Sequence, residues 1–203
     1  VSLRRLVLWR HGETDYNAAG RMQGHIDSAL TEVGWNQARF AAPALARFEP
    51  DLVIASDLRR ATDTATVLTD AIGVPLRIDK RLRETHLGDW QGMTGAEVDA
   101  QAPGERDRWR TDATWAPPGG ESRIDVAERA GEVITDLLRD DDEHKTVLLA
   151  AHGGLILALT AHLLALPVGL WPSLGGISNC HWVELGRRND VWRLHAYNAG
   201  MTG

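Results

Sequence analysis

The sequence predicts an α/β fold: one domain, residues 1–203, built on a largely parallel central sheet. Three observations carry that reading. Apolar runs of strand length alternate with segments of helical period. Three of those runs stop abruptly at polar side chains or glycine. No repeat, low-complexity stretch or linker divides the chain, and 203 residues suffice for one sizeable core.

Leu3 to Trp9 is an apolar run without alternation beyond its first residues, as expected of a strand covered on both faces. Arg10 to Leu30 is polar and glycine-punctuated and reads as a long functional loop. Thr31 is an N-cap for a helix reaching Ala46. Leu52 to Ala55 forms the next strand. Ser56 and Asp57 cap a helix over Leu58 to Ala71, closed by Gly73. Val74 to Ile78 is a short strand, with Pro75 at its beginning or at a sheet edge. Arg83 to Trp90 reads as irregular. Thr94 caps a short helix to Ala100, and Glu105 to Arg110 forms another. Pro117-Pro118-Gly119-Gly120 breaks the chain before a long helix, Ser122 to Leu138, where Ser122 and Asp125 resemble a capping box with a shortened acid. Asp140 to Lys145 reads as a solvated loop. Thr146 to Ala151 is a strand, followed by a helix to Leu166 that Pro167 ends. Ser178 to Leu185 and Val191 to Tyr197 read as a terminal hairpin turning over Gly186 to Asp190.

Composition narrows the function. The chain is 43% hydrophobic and 25% charged, ordinary values for a globular protein. A net charge of −6 argues against nucleic acid as the main partner, yet a few local arginines still serve a small anionic substrate. A single cysteine, Cys180, allows no internal disulfide and fits a reducing compartment. Val1 to Trp9 does not read as a signal peptide, and Leu155 to Leu166, interrupted by Thr160 and His162, is too short to span a bilayer. The expectation is a cytoplasmic protein with no membrane association.

The chemistry concentrates at strand ends. The first strand stops at Arg10-His11-Gly12, the second at Ser56-Asp57-Leu58-Arg59-Arg60, and Thr146 to Ala151 stops at His152-Gly153-Gly154. If these strands are parallel neighbours, two imidazoles and two guanidiniums meet at one sheet edge, where open α/β sheets bind ligands. Two histidines alone make a poor metal site, and arginines beside them repel a cation. Guanidinium forks match phosphoryl oxygens in pairs, so a phosphoryl group is the better occupant. A neutral His11 is a competent nucleophile toward phosphorus, and the arginines help to keep it unprotonated. His152 is expected to stay protonated near a phosphate dianion. Glu84 is the candidate that protonates the leaving oxygen and then activates water. The bland alternatives are a hydrogen-bonded core histidine for His11 and a surface ion pair with Arg83 for Glu84.

Arg10-His11-Gly12-Glu13-Thr14 resembles the signature of the histidine phosphatase superfamily, the phosphoglycerate-mutase-like proteins. The resemblance continues through Asn17, Gln23-Gly24, Ser56 to Ala61, Arg83-Glu84 to Gly88, Gly119 to Ser122 and His152-Gly153. It implies a three-layer α/β/α sandwich whose mostly parallel sheet has one antiparallel strand. It further implies a phosphohistidine on His11, with Arg10, Arg60 and His152 around the phosphate and Glu84 as proton donor. Asn17, Gln23 and Gly153 are implied as substrate contacts, with no cofactor, no metal and a homodimer. Segments Leu82 to Gly92, Asp112 to Pro117, Arg21 to Gly24 and Trp171 to Gly176 resemble members of that superfamily acting on a glucosylated 3-phosphoglycerate. On residue type, Trp115 or Trp109 would stack on the sugar and Arg21 or Arg83 would meet the glycerate carboxylate. A phosphoglycerate mutase, a broad sugar-phosphate phosphatase and a non-catalytic phosphate-binding module are the competing readings.

Overall fold

A computed structural model describes residues 3–139 and 144–201. Six strands form one sheet: β1 (Arg5–Arg10), β2 (Leu52–Ala55), β3 (Leu76–Ile78), β4 (Thr146–Ala151), β5 (Trp182–Arg188) and β6 (Val191–Ala199). Their spatial order is β3-β2-β4-β1-β5-β6. β3, β2, β4 and β1 are mutually parallel, β5 runs opposite to β1, and β6 runs opposite to β5. One strand therefore opposes the other five, as expected.

Alternation along the strands explains the layers. Leu6, Leu8, Leu52, Ile54, Val147 and Leu149 face one core, while Val7, Trp9, Val53, Ala55, Leu148 and Ala150 face the other. Helices α6 (Arg123–Arg139) and α7 (Gly153–Leu163) cover the first face. Helices α2 (Glu32–Ala46) and α3 (Arg59–Ile72) cover the second. Both faces being dry, the central strands carry no polar alternation. Among the described residues, no helix is long and apolar enough to cross a membrane.

Several boundaries differ from the sequence reading. The expected loop Arg10 to Leu30 contains a one-turn helix, α1 (Asp15–Ala18), closed by a capping box between Thr14 and Asn17. Such a short helix lacks the periodicity that would announce it. The expected cap of α3 is absent: Leu58 is the N-cap, without a side-chain bond, because Ser56 binds the Leu58 amide and Asp57 is committed to Arg83. The terminal turn is tighter than expected. Only Asn189 and Asp190 form it, both at positive φ (50° and 62°), and β5 begins at Trp182. Helix α7 ends at Leu163 rather than Leu166, and a 3-10 segment, Val168–Ser173, follows Pro167. The short helices α4 (Gly95–Gln101) and α5 (Glu105–Thr111) lie over the carboxyl end of the sheet with a small core of Leu87, Trp90 and Val98. Residues 140–143 of the charged loop expected at Asp140 to Lys145 lie outside the described residues.

Candidate active site

Sheet register brings the two histidines together. Arg10 pairs with Ala151 across β1 and β4, so His11 and His152 leave adjacent strands at the same level. The His11 amide donates to the Ala151 carbonyl at 3.0 Å, and the two imidazole centroids stand 5.2 Å apart. Ala55 pairs with Ala150 on the other side of β4, which delivers α3 and Arg60 to the same edge.

Each imidazole has a defined tautomer. His11 Nδ1 lies 2.7 Å from the Gly12 carbonyl, which can only accept, so Nδ1 carries the proton and Nε2 keeps its lone pair. His152 has the opposite arrangement. Arg60 Nε donates to His152 Nδ1 at 3.2 Å, which places the ring proton on Nε2, a buried atom with no partner among the described residues. Burial, then the charges of Arg10 and Arg60, hold His11 well below the ordinary histidine range. Burial, then Arg60, does the same to His152. His152 is thus neutral in this structure. The expected protonated state concerns a site that holds a phosphate dianion, whose negative charge would oppose this shift.

Arg60 is fully buried, and burial lowers it to about 10. Its Nη1 and Nη2 donate to the carbonyls of Ile26 (2.7 Å) and Gly24 (2.8 Å), fixing the fork. Arg10 donates through Nη1 to the Ile177 carbonyl, and its Nε is buried without a partner among the described residues. The unpartnered Arg10 Nε and His152 Nε2 are donors awaiting an acceptor, which is the donor set of an anion site.

Glu84 comes to the same place by an unforeseen route. Its carboxylate sits on the N-terminus of α7, accepting from the amides of Gly154 (3.0 Å) and Leu155 (3.0 Å), and from that of Thr85 (2.8 Å). Its main-chain carbonyl accepts from His25 Nε2 (2.7 Å) and from Arg129 Nη2 (2.8 Å). Arg129 also donates to the Arg81 and Arg83 carbonyls and pairs with Glu121, whose Oε2 accepts the His86 amide. Neither Glu121, Arg129 nor His25 has a role in the sequence reading. The only signal was Glu121 within the Gly119 to Ser122 match.

These groups surround a cavity of ≈ 210 Å³, lined among others by Arg10, His11, Arg60, Glu84 and Gly154. Asn17 and Gln23 line it too. Asn17 Oδ1 accepts from the Thr14 amide (3.2 Å) and from Asn179 Nδ2 (3.2 Å), which leaves its own amide N–H groups for the cavity. The Ser28 hydroxyl occupies Gln23 Oε1 in the same sense. His152 is fully buried and is not among the lining residues. Gly153 opens α7 beside the Arg10 side chain, where a Cβ would come to 3.4 Å from the Arg10 Nε, and the neighbouring Gly154 forms the wall.

Of the alternatives expected for the glycerate and sugar contacts, one of each pair, Arg21 and Trp109, lines the cavity. Arg83 is held bidentately by Asp57 at 2.7 Å and 2.7 Å, and Arg21 by the Gly92 carbonyl (2.7 Å) and Glu97 (3.4 Å). Arg21 still reaches the cavity; Arg83 is not among its lining residues. Trp109 lines the cavity, whereas Trp115 packs on Trp90 with ring centroids 5.5 Å apart.

Cys180 is buried next to these groups, its amide on the carbonyls of Arg10 and His11, and burial pushes its thiol up to about 12. Among the described residues, no group of three or more histidine, cysteine, aspartate or glutamate side chains is placed to hold a metal ion.

The model of the histidine phosphatase superfamily (branch 1) matches residues 6–200. A glucosyl-3-phosphoglycerate phosphatase of Mycolicibacterium vanbaalenii is 53% identical, over 98% of this chain and 96% of that one. A solved mycobacterial glucosyl-3-phosphoglycerate phosphatase in complex with VO3 superposes with a TM-score of 0.94 at 54% identity, covering 97% of this chain and 100% of that one. The α-ribazole phosphatase of Shigella flexneri shares the fold at 27% identity and a TM-score of 0.84, covering 98% of this chain and 100% of that one.

Proposed function

The chain belongs to the histidine phosphatase superfamily, and on that footing we propose that it hydrolyses glucosyl-3-phosphoglycerate to glucosylglycerate and phosphate through a phosphohistidine on His11. The observation that carries this reading is the His11 tautomer: the Gly12 carbonyl holds the proton on Nδ1, so the lone pair of Nε2 is free in a pocket of arginines. Similarity to glucosyl-3-phosphoglycerate phosphatases over nearly the full length supports the substrate.

His11 Nε2 attacks phosphorus as the phosphorus–oxygen bond to the glycerate breaks. Protonated Glu84 gives its proton to the leaving oxygen. Arg10 and Arg60 bind the phosphoryl oxygens, while His152 donates from Nε2 and the amides of Asn17 and Gln23 donate alongside. In the second half, the Glu84 carboxylate takes a proton from water as that water attacks phosphorus. The bond between His11 Nε2 and phosphorus breaks as water adds, which regenerates the imidazole, releases phosphate and returns to Glu84 the proton it gave up.

The same reading takes residues 1–203 as one domain acting in the cytoplasm as a homodimer. The lone cysteine and the exposed Val33 and Phe40 on α2, each 52% accessible, support it.

The test is phosphate release from glucosyl-3-phosphoglycerate by the wild-type chain and by His11→Ala. The variant is expected to be folded and inactive, and quenched wild-type protein to carry acid-labile, base-stable phosphate. Conversion of 3-phosphoglycerate to 2-phosphoglycerate instead of net release would assign the chain to the mutases.

A further inference from the structure

A guanidinium stacked on Trp109, a wall of the cavity, has no carboxylate partner among the described residues; it is not itself one of the lining residues. Arg123 opens α6 and is only 9% exposed. Its Nη1 donates to the Arg110 carbonyl at 3.2 Å; its remaining N–H groups have no protein acceptor among the described residues. The contrast with its neighbours is sharp. Arg83 is paired with Asp57, Arg129 with Glu121, Arg106 with Asp99 and Arg21 with Glu97. Buried Arg60 and half-buried Arg10, which also have no carboxylate partner among the described residues, line the cavity itself.

Burying an unpaired charge is costly, and proteins pair or neutralise such groups. Arg123 obtains only partial relief. Its guanidinium lies 5.3 Å over the Trp109 ring, a cation–π contact. Stacking leaves the edge of the guanidinium, where the donors are, open to an acceptor alongside the indole. Trp109 is itself a wall of the cavity, and its Nε1 is buried with no partner among the described residues. Two adjacent donor groups at one side of the site therefore lack acceptors. Burial pulls Arg123 down from the ordinary arginine value, opposed by the charge of Glu84 and by Tyr197.

We infer that Arg123, stacked on Trp109, receives the carboxylate of the glycerate portion while the phosphate lies against Arg10 and Arg60. The inference rests on the phosphoglycerate ester proposed above as substrate. It replaces Arg83, whose fork is closed by Asp57, and assigns Arg21 to holding the loop around Gly92. A carboxylate there would supply the counter-ion that the protein omits, so esters lacking one would bind with the cation still unpaired. Arg123 is then a determinant of selectivity between acidic and neutral phosphate esters.

The experiment compares kcat/KM for 3-phosphoglycerate and glycerol 3-phosphate, which differ in a carboxylate against a hydroxymethyl group. The wild-type chain is expected to prefer the acid, and Arg123→Gln to lose at least about tenfold of that preference, the scale of one charge-assisted hydrogen bond. Arg123→Lys, which keeps the charge without the fork, is expected to lose at least about threefold. It decides the matter if the glutamine variant does not fold. A wild-type ratio of one, or variants that retain the wild-type ratio even with both activities lowered, overturns the inference. Absence of turnover on glucosyl-3-phosphoglycerate by wild type would instead overturn the proposed substrate, and the ratio would still report on Arg123.

Discussion

Arg60 Nε donates to His152 Nδ1 at 3.2 Å, so a cation fixes the tautomer of the second imidazole. Carboxylates and carbonyls more often orient a histidine, and they raise its affinity for a proton. A guanidinium lowers it. His152 is thereby kept neutral with its one N–H on Nε2, a donor that costs no protonation when an anion arrives.

Arg60 and His152 are expected to act as a unit. Arg60→Lys should lower kcat/KM by about a hundredfold or more, since it removes the Nε donor and frees the Gly24 and Ile26 carbonyls. His152→Asn should cost a similar factor. The double variant should lose much less than the product of the two. Steady-state kinetics on all four proteins checks this, and strictly multiplicative losses would refute the coupling.

Stability should fall on mild acidification. His11 and His152 are both held well below the ordinary histidine value of 6.5 in the folded chain. Below about pH 6.5 the unfolded chain takes up protons that the folded one refuses, so unfolding becomes easier as pH drops toward the folded values. Above that pH neither state is protonated and the effect vanishes. Each group adds a slope of up to about 1.4 kcal/mol per pH unit. Lowered carboxylates such as Asp57 and Glu121 act in the same direction, but only nearer pH 4. Urea midpoints between about pH 5 and pH 6.5 check the slope, to which the lowered His25 also adds, so His152→Asn should remove about a third to a half of it.

Arg129 holds the acid from behind. Arg129→Ala leaves Glu121 without its cation and uncovers the carbonyls of Arg81, Arg83 and Glu84. A loss of about 3 kcal/mol or more is expected in urea unfolding. The kinetic loss should depend on the leaving group: large for alkyl phosphates that need a proton from Glu84, small for the burst phase with an aryl phosphate. Equal losses on both would make Arg129 purely structural.

Gly12 has no space for a side chain. A Cβ there would collide with the Gly34 backbone, and one on Gly34 would collide with the Glu13 carbonyl. Gly12→Ala is expected to destabilise by about 1–3 kcal/mol and to displace His11, lowering kcat/KM together with the melting temperature.

How much of this was legible beforehand depends on the kind of residue. Arg10, His11, Arg60 and His152 could be read because each follows a strand whose apolar run fixes its level in the sheet, and register did the rest. Helix α2 with its Thr31 cap and strand β2 were legible for the same reason: their signals are local. The one-turn α1 was not, being shorter than one period of the pattern that reveals helices. The partners of arginines were least legible. Nothing in the sequence distinguishes Arg83, closed by Asp57, from Arg123, which has no acid, because that difference depends on which distant carboxylate the fold brings near. The same holds for His25, whose contact with the Glu84 carbonyl spans 59 positions.

The burial of Cys180 has a chemical consequence of its own. Its amide is held on the carbonyls of Arg10 and His11, while its side chain belongs to the core that contains Trp9 and Trp182 and is not among the residues lining the cavity. With its thiol pushed up to about 12, it stays a thiol at neutral pH and offers no thiolate. The chain should therefore tolerate alkylating reagents and oxidants that disable enzymes dependent on an active sulfur.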